Sequence, residues 1–284
     1  MLSALQAATC QWVGEARPAP SRLMVFTDLD GTLLDHHSYD VEPALPALQR
    51  LRALTIPVVL TSSKTAEELA VHHQRLGLVA PFVFENGGGI ATPSPGSAGS
   101  PPGYRLRLLG PSREHILATL ARLRQEPAFR FAGFADWSAA EVASRTGLMP
   151  EDAILARQRL CSEPIAWDGT ESALEAFRAA LHQYGLRLVA GGRFLHVLGQ
   201  TDKAIALATL LAERSERLGT RSISVALGDS GNDRDMLEAA DLAVVVRRPD
   251  GSHLCLARST GVRYTAGIGP VGWREAMEEL IGTS

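Results

Sequence analysis

The sequence is short of several things, and each shortage excludes a class of protein. It has three cysteines, Cys10, Cys161 and Cys255, scattered and without a CxxC pair. That excludes a disulfide framework and a thiolate zinc site, and it fits a reducing compartment, so the cytoplasm is the expected location. No apolar run approaches the roughly 20 residues needed to cross a bilayer. Positive charge is not concentrated anywhere, and the net charge is −3. A nucleic-acid-binding surface as the main business is therefore not expected, and neither is a membrane partner. There is no GxxxxGK[ST] phosphate loop, so nucleotide-triphosphate chemistry of that kind has no support, and there is no internal repeat. The first 21 residues lack a basic start and a continuous apolar stretch; they are expected to be a poorly ordered extension, not a signal peptide.

What is present is an ordinary globular composition, 45% hydrophobic and 21% charged over 284 residues, enough for a large core. Leu23-Met24-Val25-Phe26 reads as a short strand buried on both faces. It runs into Thr27-Asp28-Leu29-Asp30-Gly31. Residues two apart in a strand share a face, so Asp28 and Asp30 would project together at its C-terminal end, an arrangement that costs energy unless a cation or a raised pKa relieves it. Gly31 suits the sharp turn that follows. A helical pattern over VEPALPALQRLRAL precedes a second buried strand, Ile56–Leu60, which ends in Thr61-Ser62-Ser63-Lys64. TAEELAVHHQRLGL reads as a helix stopped near Gly77, and a third apolar run, Pro81–Phe84, ends at Glu85-Asn86-Gly87-Gly88. Strand–helix–strand–helix–strand is the grammar of an α/β doubly wound parallel sheet, which binds ligands at strand C-termini.

The segment 92–103, TPSPGSAGSPPG, is expected to hold no regular structure. Beyond it, helices and strands interleave without acidic or Gly-rich strand ends, as in a separate α+β module. The α/β grammar returns at Lys203, with the helix AIALATLLAERSERLG, the strand SISVAL and then GDSGND at 228–233. The expected organisation is thus an extension over 1–21, a core over 22–90 and 200–284, and an inserted module over 91–199.

The second acidic cluster, Asp229, Asn232 and Asp233, also follows an apolar strand and opens a helix. Either aspartate alone would be an ordinary N-cap. Loops at the ends of strands in one parallel sheet converge, however, and carboxylates with backbone carbonyls form an oxygen-only set that suits Mg²⁺. A phosphoryl group at such a site also needs hydroxyl, amide and cationic donors, which Ser62, Ser63 and Lys203 can supply.

DLDGT at 28–32, Ser62, Lys203 and GDSGND at 228–233 together resemble the four motifs of the haloacid dehalogenase superfamily of phosphatases, and the insertion resembles the α+β cap of its Cof-type sugar phosphatases. More narrowly, TSSKTAEE, ENGG, TGL, ARQRLCSEPI and GGRFLHV resemble the mannosyl-3-phosphoglycerate phosphatase family. The resemblance implies that Asp28 is the nucleophile and Asp30 the acid and base, with Ser62 (in preference to Thr61) and Lys203 binding the transferring phosphoryl group. It implies Mg²⁺ held by Asp28, the Asp30 carbonyl and Asp229, with Asn232 and Asp233 supporting the loop. It further implies a phosphorylated sugar acid as substrate and an aspartyl-phosphate intermediate.

For that substrate the matching motifs offer Lys64, Glu85, Asn86, Gly87, Gly88, Arg159, Ser162, Glu163, Arg193 and His196 as contacts, since an acid wants cations or amides and hydroxyls want Glu, Asn and His. His36-His37 and His72-His73 are adjacent pairs that face apart and make poor metal sites, and Trp137 and Trp167 are expected to pack. The competing readings are a sucrose- or trehalose-phosphate type of phosphatase and a non-catalytic sugar-phosphate binding module. Mannose against glucose, and the oligomeric state, are not written in these motifs.

Overall fold

A computed structural model of the chain describes residues 18–95, 103–191 and 193–282. The leader over 1–17, including Cys10, and the middle of the Gly/Pro/Ser segment lie outside the described residues. The chain divides into two compact units, Met1–Val59 with Leu207–Ser284, and Leu60–Ala206. The elements in chain order are β1 (Leu23–Thr27), α1 (Leu45–Ala53), β2 (Val58–Leu60), α2 (Ala66–Arg75), β3 (Phe82–Phe84), β4 (Gly89–Ser94), β5 (Gly103–Leu108), α3 (Arg113–Leu123), β6 (Phe131–Gly133), α4 (Ala139–Thr146), α5 (Pro150–Ala156), β7 (Ser162–Trp167), α6 (Glu171–Gln183), β8 (Leu186–Ala190), β9 (Leu195–Gly199), α7 (Lys203–Leu218), β10 (Ile223–Gly228), α8 (Arg234–Ala239), β11 (Leu242–Arg247), β12 (Val262–Ile268) and α9 (Gly269–Ile281).

The first unit is built on a five-stranded sheet in the order β12-β11-β10-β1-β2. The pairs β1–β10, β10–β11 and β11–β12 are parallel, with Val25 opposite Val225 and Val225 opposite Leu242. β1 is buried at all five positions, as an unalternating apolar run requires when both sheet faces are covered. α9 covers this sheet with Trp273, Ala276, Met277 and Leu280, all buried.

In the second unit the third apolar run behaves differently from the expected continuation of one sheet. β3 pairs antiparallel with β4, and β4 with β5; among the described residues an isolated parallel bridge, Thr61 to Val83, links β3 to the chain just after β2. The cause is local. Glu85, Asn86 and Gly87 all have positive φ (51°, 56° and 88°), so the chain reverses after only three strand residues. The segment 92–103 also departs from expectation at its ends, since Thr92–Ser94 continue β4 and Gly103 begins β5. Pro93 is tolerated because β3 pairs no further along β4 than Ala91, leaving the Pro93 nitrogen no ladder bond to lose on that side.

Residues 131–199 contain a second, antiparallel sheet in the order β6-β7-β9-β8. α3 and α6 bury Ile116, Leu120, Phe177 and Leu181 against Ile165 and Val197 on one face. Trp137 sits in a separate cluster with Phe134, Val142, Ala153 and Ala156, from α4, α5 and the loop before them. Trp167 stacks on Phe131 and packs on Phe177. Both indoles therefore pack, as expected. Among the described residues no helix is long and apolar enough to cross a membrane.

Candidate active site

In the first unit, the site begins where β1 stops. The Asp28 N–H donates to Leu227 O at 2.9 Å, which ties the end of β1 to β10, and Asp28 itself is buried. The Thr27 hydroxyl donates to the Asp28 carbonyl at 2.7 Å and accepts from Trp273 Nε1 at 3.0 Å. Gly31 adopts φ 80°, and a Cβ there would stand 3.1 Å from Asp229 Oδ2, so the turn needs glycine for its conformation and for the close approach. Thr32 Oγ1 donates to Asp229 Oδ1 at 3.0 Å, joining the two acidic motifs across 197 residues of sequence.

The GDSGND loop holds itself. Asp233 Oδ2 accepts the N–H groups of Asp229 and Ser230 at 3.1 and 3.0 Å, and Ser230 Oγ donates to Asn232 Oδ1 at 2.5 Å. At Gly228 an added Cβ would lie 2.5 Å from Asp233 Cβ, so only glycine fits beneath that aspartate. Arg248, just past β11, donates its Nε–H to the Asp229 carbonyl at 2.7 Å.

Asp28, Asp229 and Asp233 each bring one carboxylate oxygen within 4.8 Å of the others, and all three are buried. Three like charges this close and this dry repel strongly without a cation. An oxygen-only donor set fits a hard divalent ion. Asp233, expected only as loop support, both joins this group and holds the loop; the Asp30 side chain is not among the three.

The second unit gathers the other candidates around the loop between β2 and α2. Ser62 is buried, its N–H donates to Val83 O at 3.1 Å, and its hydroxyl oxygen accepts the Lys64 N–H at 3.3 Å. The neighbouring Thr61 is also buried, and among the described residues its hydroxyl has no hydrogen-bond partner. Thr65 caps α2 in a reciprocal pair with Glu68. Asn86 N donates to Ser62 O, and Glu85 N to Lys64 O, both at 2.9 Å. Gly87 then approaches the start of α7 so closely that a Cβ would fall 2.0 Å from Asp202 O, and its carbonyl accepts the Thr201 hydroxyl at 2.6 Å. Lys203 opens α7 and is 1% exposed. The second unit thus brings Ser62, Asn86, Gly87 and Lys203 into one cluster of loops.

The other candidates sort by what they touch. Glu163 is internal to its sheet layer, where one oxygen takes a two-pronged bond from Arg113 at 2.8 and 2.7 Å and the other accepts Ala135 N at 2.6 Å. Glu85, Arg159 and Ser162 are buried and bonded to one another. Gly88 carries the Leu109 N–H on its carbonyl, at 2.8 Å. Arg193 is exposed and donates to the Thr146 carbonyl. His196 is half-buried on β9, and among the described residues its Nδ1 has no hydrogen-bond partner. Burial, and then the charge of Arg159, push its pKa well below the usual imidazole value, so it is a neutral ring. Arg113, Arg248 and the Thr27–Trp273 pair carry no motif signature, while Thr32 closes the DLDGT motif and could have been found there.

Comparison with known proteins decides the family. The glucosyl-3-phosphoglycerate/mannosyl-3-phosphoglycerate phosphatase of Methanococcoides burtonii is 36% identical over 265 residues, spanning 91% of this chain and 97% of that one. The model for haloacid dehalogenase-like hydrolases matches residues 25–96. The chain belongs to the haloacid dehalogenase-like hydrolases. Among solved structures, a phosphatase of that superfamily from Bacteroides thetaiotaomicron superposes with a TM-score of 0.63 at 18% identity, covering 94% of this chain and 98% of that one. The sucrose-phosphatase of Synechocystis sp. PCC6803 gives 0.60 at 16%, covering 93% and 99%. At these identities the two structures establish the shared fold: a parallel sheet flanked by helices and carrying an inserted module.

Proposed function

We propose that this hydrolase removes the phosphate from a glycosyl-3-phosphoglycerate, glucosyl or mannosyl, leaving the glycosylglycerate, and that Mg²⁺ is its cofactor. The observation that carries the substrate is the 36% identity, over nearly the whole of both chains, to a phosphatase named for those two compounds. The buried carboxylate trio at the strand ends supports the metal. Asp28, the Asp30 carbonyl, Asp229 and Asp233 would hold it, and once bound it would offset the clustered negative charge and draw electron density from a phosphoryl oxygen.

On this reading a side-chain oxygen of Asp28 attacks phosphorus, and the bond from phosphorus to the sugar-acid oxygen breaks. Asp30 gives that leaving oxygen its proton. In the second half Asp30 takes a proton from water as the water oxygen bonds to phosphorus and the bond to Asp28 breaks, releasing inorganic phosphate. Ser62 and Lys203 bind the phosphoryl oxygens, and the tie from Thr27 to the Asp28 carbonyl steadies the strand end that presents the nucleophile. Lys64, Asn86, Arg193 and His196 are the candidates for the sugar-acid portion. Arg193 fits this role best, since it is exposed and its guanidinium has donors beyond the one given to the Thr146 carbonyl. We retain 22–90 with 200–284 as the functional core, 91–199 as the cap and 1–21 as an extension. The cytoplasm remains the proposed location, consistent with Cys161 and Cys255 both being free.

A phosphate-release screen over phosphorylated sugars and sugar acids tests the substrate, and faster turnover of sucrose-phosphate than of either glycosyl-3-phosphoglycerate would sink it. Asp28→Asn should reduce release to background, and chelation of divalent ions should do the same to the unaltered enzyme, reversibly on adding Mg²⁺.

A further inference from the structure

We propose that Arg159 and Glu85 are positioning residues for the loop carrying Ser62, and not contacts to the sugar acid. The proposal rests on the reading of Ser62 as a phosphoryl-binding residue.

The three consecutive carbonyls of Ser62, Ser63 and Lys64 are all engaged. Asn86 N holds the first at 2.9 Å and Glu85 N the third at 2.9 Å; the middle one accepts Arg159 Nη2 at 2.6 Å. Arg159 is therefore the side-chain member of a three-point clamp on the segment that begins with Ser62. It is 7% exposed, so its charge and donors must be satisfied inside the protein. They are: Nε donates to Ser162 Oγ at 3.0 Å and lies 3.8 Å from Glu85 Oε2.

Glu85 completes the frame. Its carboxylate accepts the N–H groups of Leu160 and Cys161 at 2.7 and 3.1 Å and the Ser162 hydroxyl at 2.6 Å. These bonds occupy both of its oxygens. They also account for two successive non-glycine residues, Glu85 and Asn86, being held at φ 51° and 56°, a strain that persists only where surrounding bonds over-determine it. A carboxylate that is fully buried and bonded to two backbone amides and a hydroxyl, beside a buried guanidinium committed to a backbone carbonyl, presents no exposed atom to a substrate hydroxyl or acid group. The segment 157–162 is thus a strut: it fixes the carbonyl side of the Ser62 loop so that the hydroxyl side stays in register for the phosphoryl group.

Two substrates and one inhibitor separate positioning from contact. Arg159→Lys keeps the charge and cannot reach the Ser63 carbonyl and Ser162 Oγ together; Ser162→Ala removes the brace and leaves the guanidinium in place. For each variant, kcat and KM are measured with glucosyl-3-phosphoglycerate and with p-nitrophenyl phosphate, which has no sugar-acid part, together with Ki for inorganic phosphate. Thermal melts verify folding, and Ser62→Ala serves as reference. A misplaced loop should lower kcat/KM for both substrates by one common factor, on the order of tenfold to a hundredfold for Arg159→Lys and less for Ser162→Ala. Phosphate should bind more weakly by a similar factor. Loss confined to glucosyl-3-phosphoglycerate would mean direct contact and overturn the proposal. So would a fall in kcat with KM and Ki unchanged, which marks only a smaller folded fraction. If Ser62→Ala shifts Ki and Arg159→Lys does not, the strut is wrong and the Ser62 reading survives; if Ser62→Ala leaves Ki unmoved, the Ser62 reading itself fails and takes the proposal with it.

Discussion

Gly87→Ala is expected to damage this protein more than any ordinary glycine replacement, by an amount that can be built up from the structure. Gly87 and Gly185 both have positive φ, 88° and 69°, so alanine at either pays a left-handed backbone penalty of about 1–2 kcal/mol. They differ in space. At Gly185 an added Cβ meets nothing within 4 Å, whereas at Gly87 it lands 2.0 Å from Asp202 O, 2.1 Å from Asp202 C and 2.6 Å from Lys203 N. Those are backbone atoms, so no flexible side chain can yield, and ordinary contact at about 3.5 Å requires the loop or the start of α7 to move by more than 1 Å. Overpacking of this kind adds roughly 1–3 kcal/mol. The movement also breaks the Thr201 hydroxyl bond to the Gly87 carbonyl, worth about 1 kcal/mol. With 1 kcal/mol worth roughly 2–4 °C in a chain of this size, Gly185→Ala should lower Tm by a few degrees and Gly87→Ala by two to three times as much. Because the displaced backbone leads into Lys203, Gly87→Ala should also lose phosphatase activity at temperatures where it remains folded, and Gly185→Ala should not. Paired circular-dichroism melts and turnover assays measure both. Equal Tm shifts for the two variants, or full activity in Gly87→Ala, would refute the close-approach reasoning.

Gly31→Ala should cost activity well beyond its effect on Tm, since its Cβ would press on Asp229 within the carboxylate trio; kcat and melts on one preparation check this. Trp273→Phe should leave the Thr27 hydroxyl without its donor and cost about 1–3 kcal/mol, and Thr27→Val in the same chain should recover part of that, a non-additivity read from a double-mutant cycle. His73 is buried with Nε2 on the Ala80 carbonyl and Nδ1 on the Tyr104 hydroxyl, and burial lowers its pKa, against the raising effect of the Ala80 bond. The unfolded chain then binds a proton below about pH 6.5 that the folded chain resists, so stability is present above that pH and falls as pH drops below it. Melts of wild type and His73→Gln from pH 7.5 to 5.5 should show the acid-side decline shrink in the variant.

Elements whose burial is two-sided or strictly periodic were legible from residues alone. The unalternating strands β1 and β10 and the helices α2 and α7 stand where the pattern puts them. What escaped was decided by single backbone conformations or by partners distant in sequence. β3 looks like its neighbours in composition, and only the left-handed run from Glu85 to Gly87 turns it into a hairpin strand. Residues Thr92–Ser94 read as loop because Pro and Ser disfavour a strand by propensity; pairing with β5 overrides that preference. α4 went unread although its Ser138–Glu141 capping box is a local signal and therefore recoverable.

The site divides along the same line. Asp28 and Asp229 could be singled out as candidates, and the structure brings them together with Asp233; close carboxylates are expensive to hold together, and that cost is visible in the residue types themselves. The candidates around Arg159 could not be resolved in the same way. A guanidinium in a matching motif states that it needs anions or carbonyls around it; it does not state whose. Glu85, Arg159, Ser162 and Glu163 have the donors and acceptors of a sugar-acid pocket, and the fold spends them on each other, on Arg113 and on the Ser63 carbonyl. Exposure combined with an unused polar atom is the better guide to substrate contact. By that measure the exposed Arg193, whose guanidinium has donors beyond the one given to the Thr146 carbonyl, is a stronger candidate than the fully buried Glu85. If so, Arg193→Ala should raise KM for the glycosyl substrate and leave p-nitrophenyl phosphate turnover alone, the reverse of the pattern expected from disturbing Arg159.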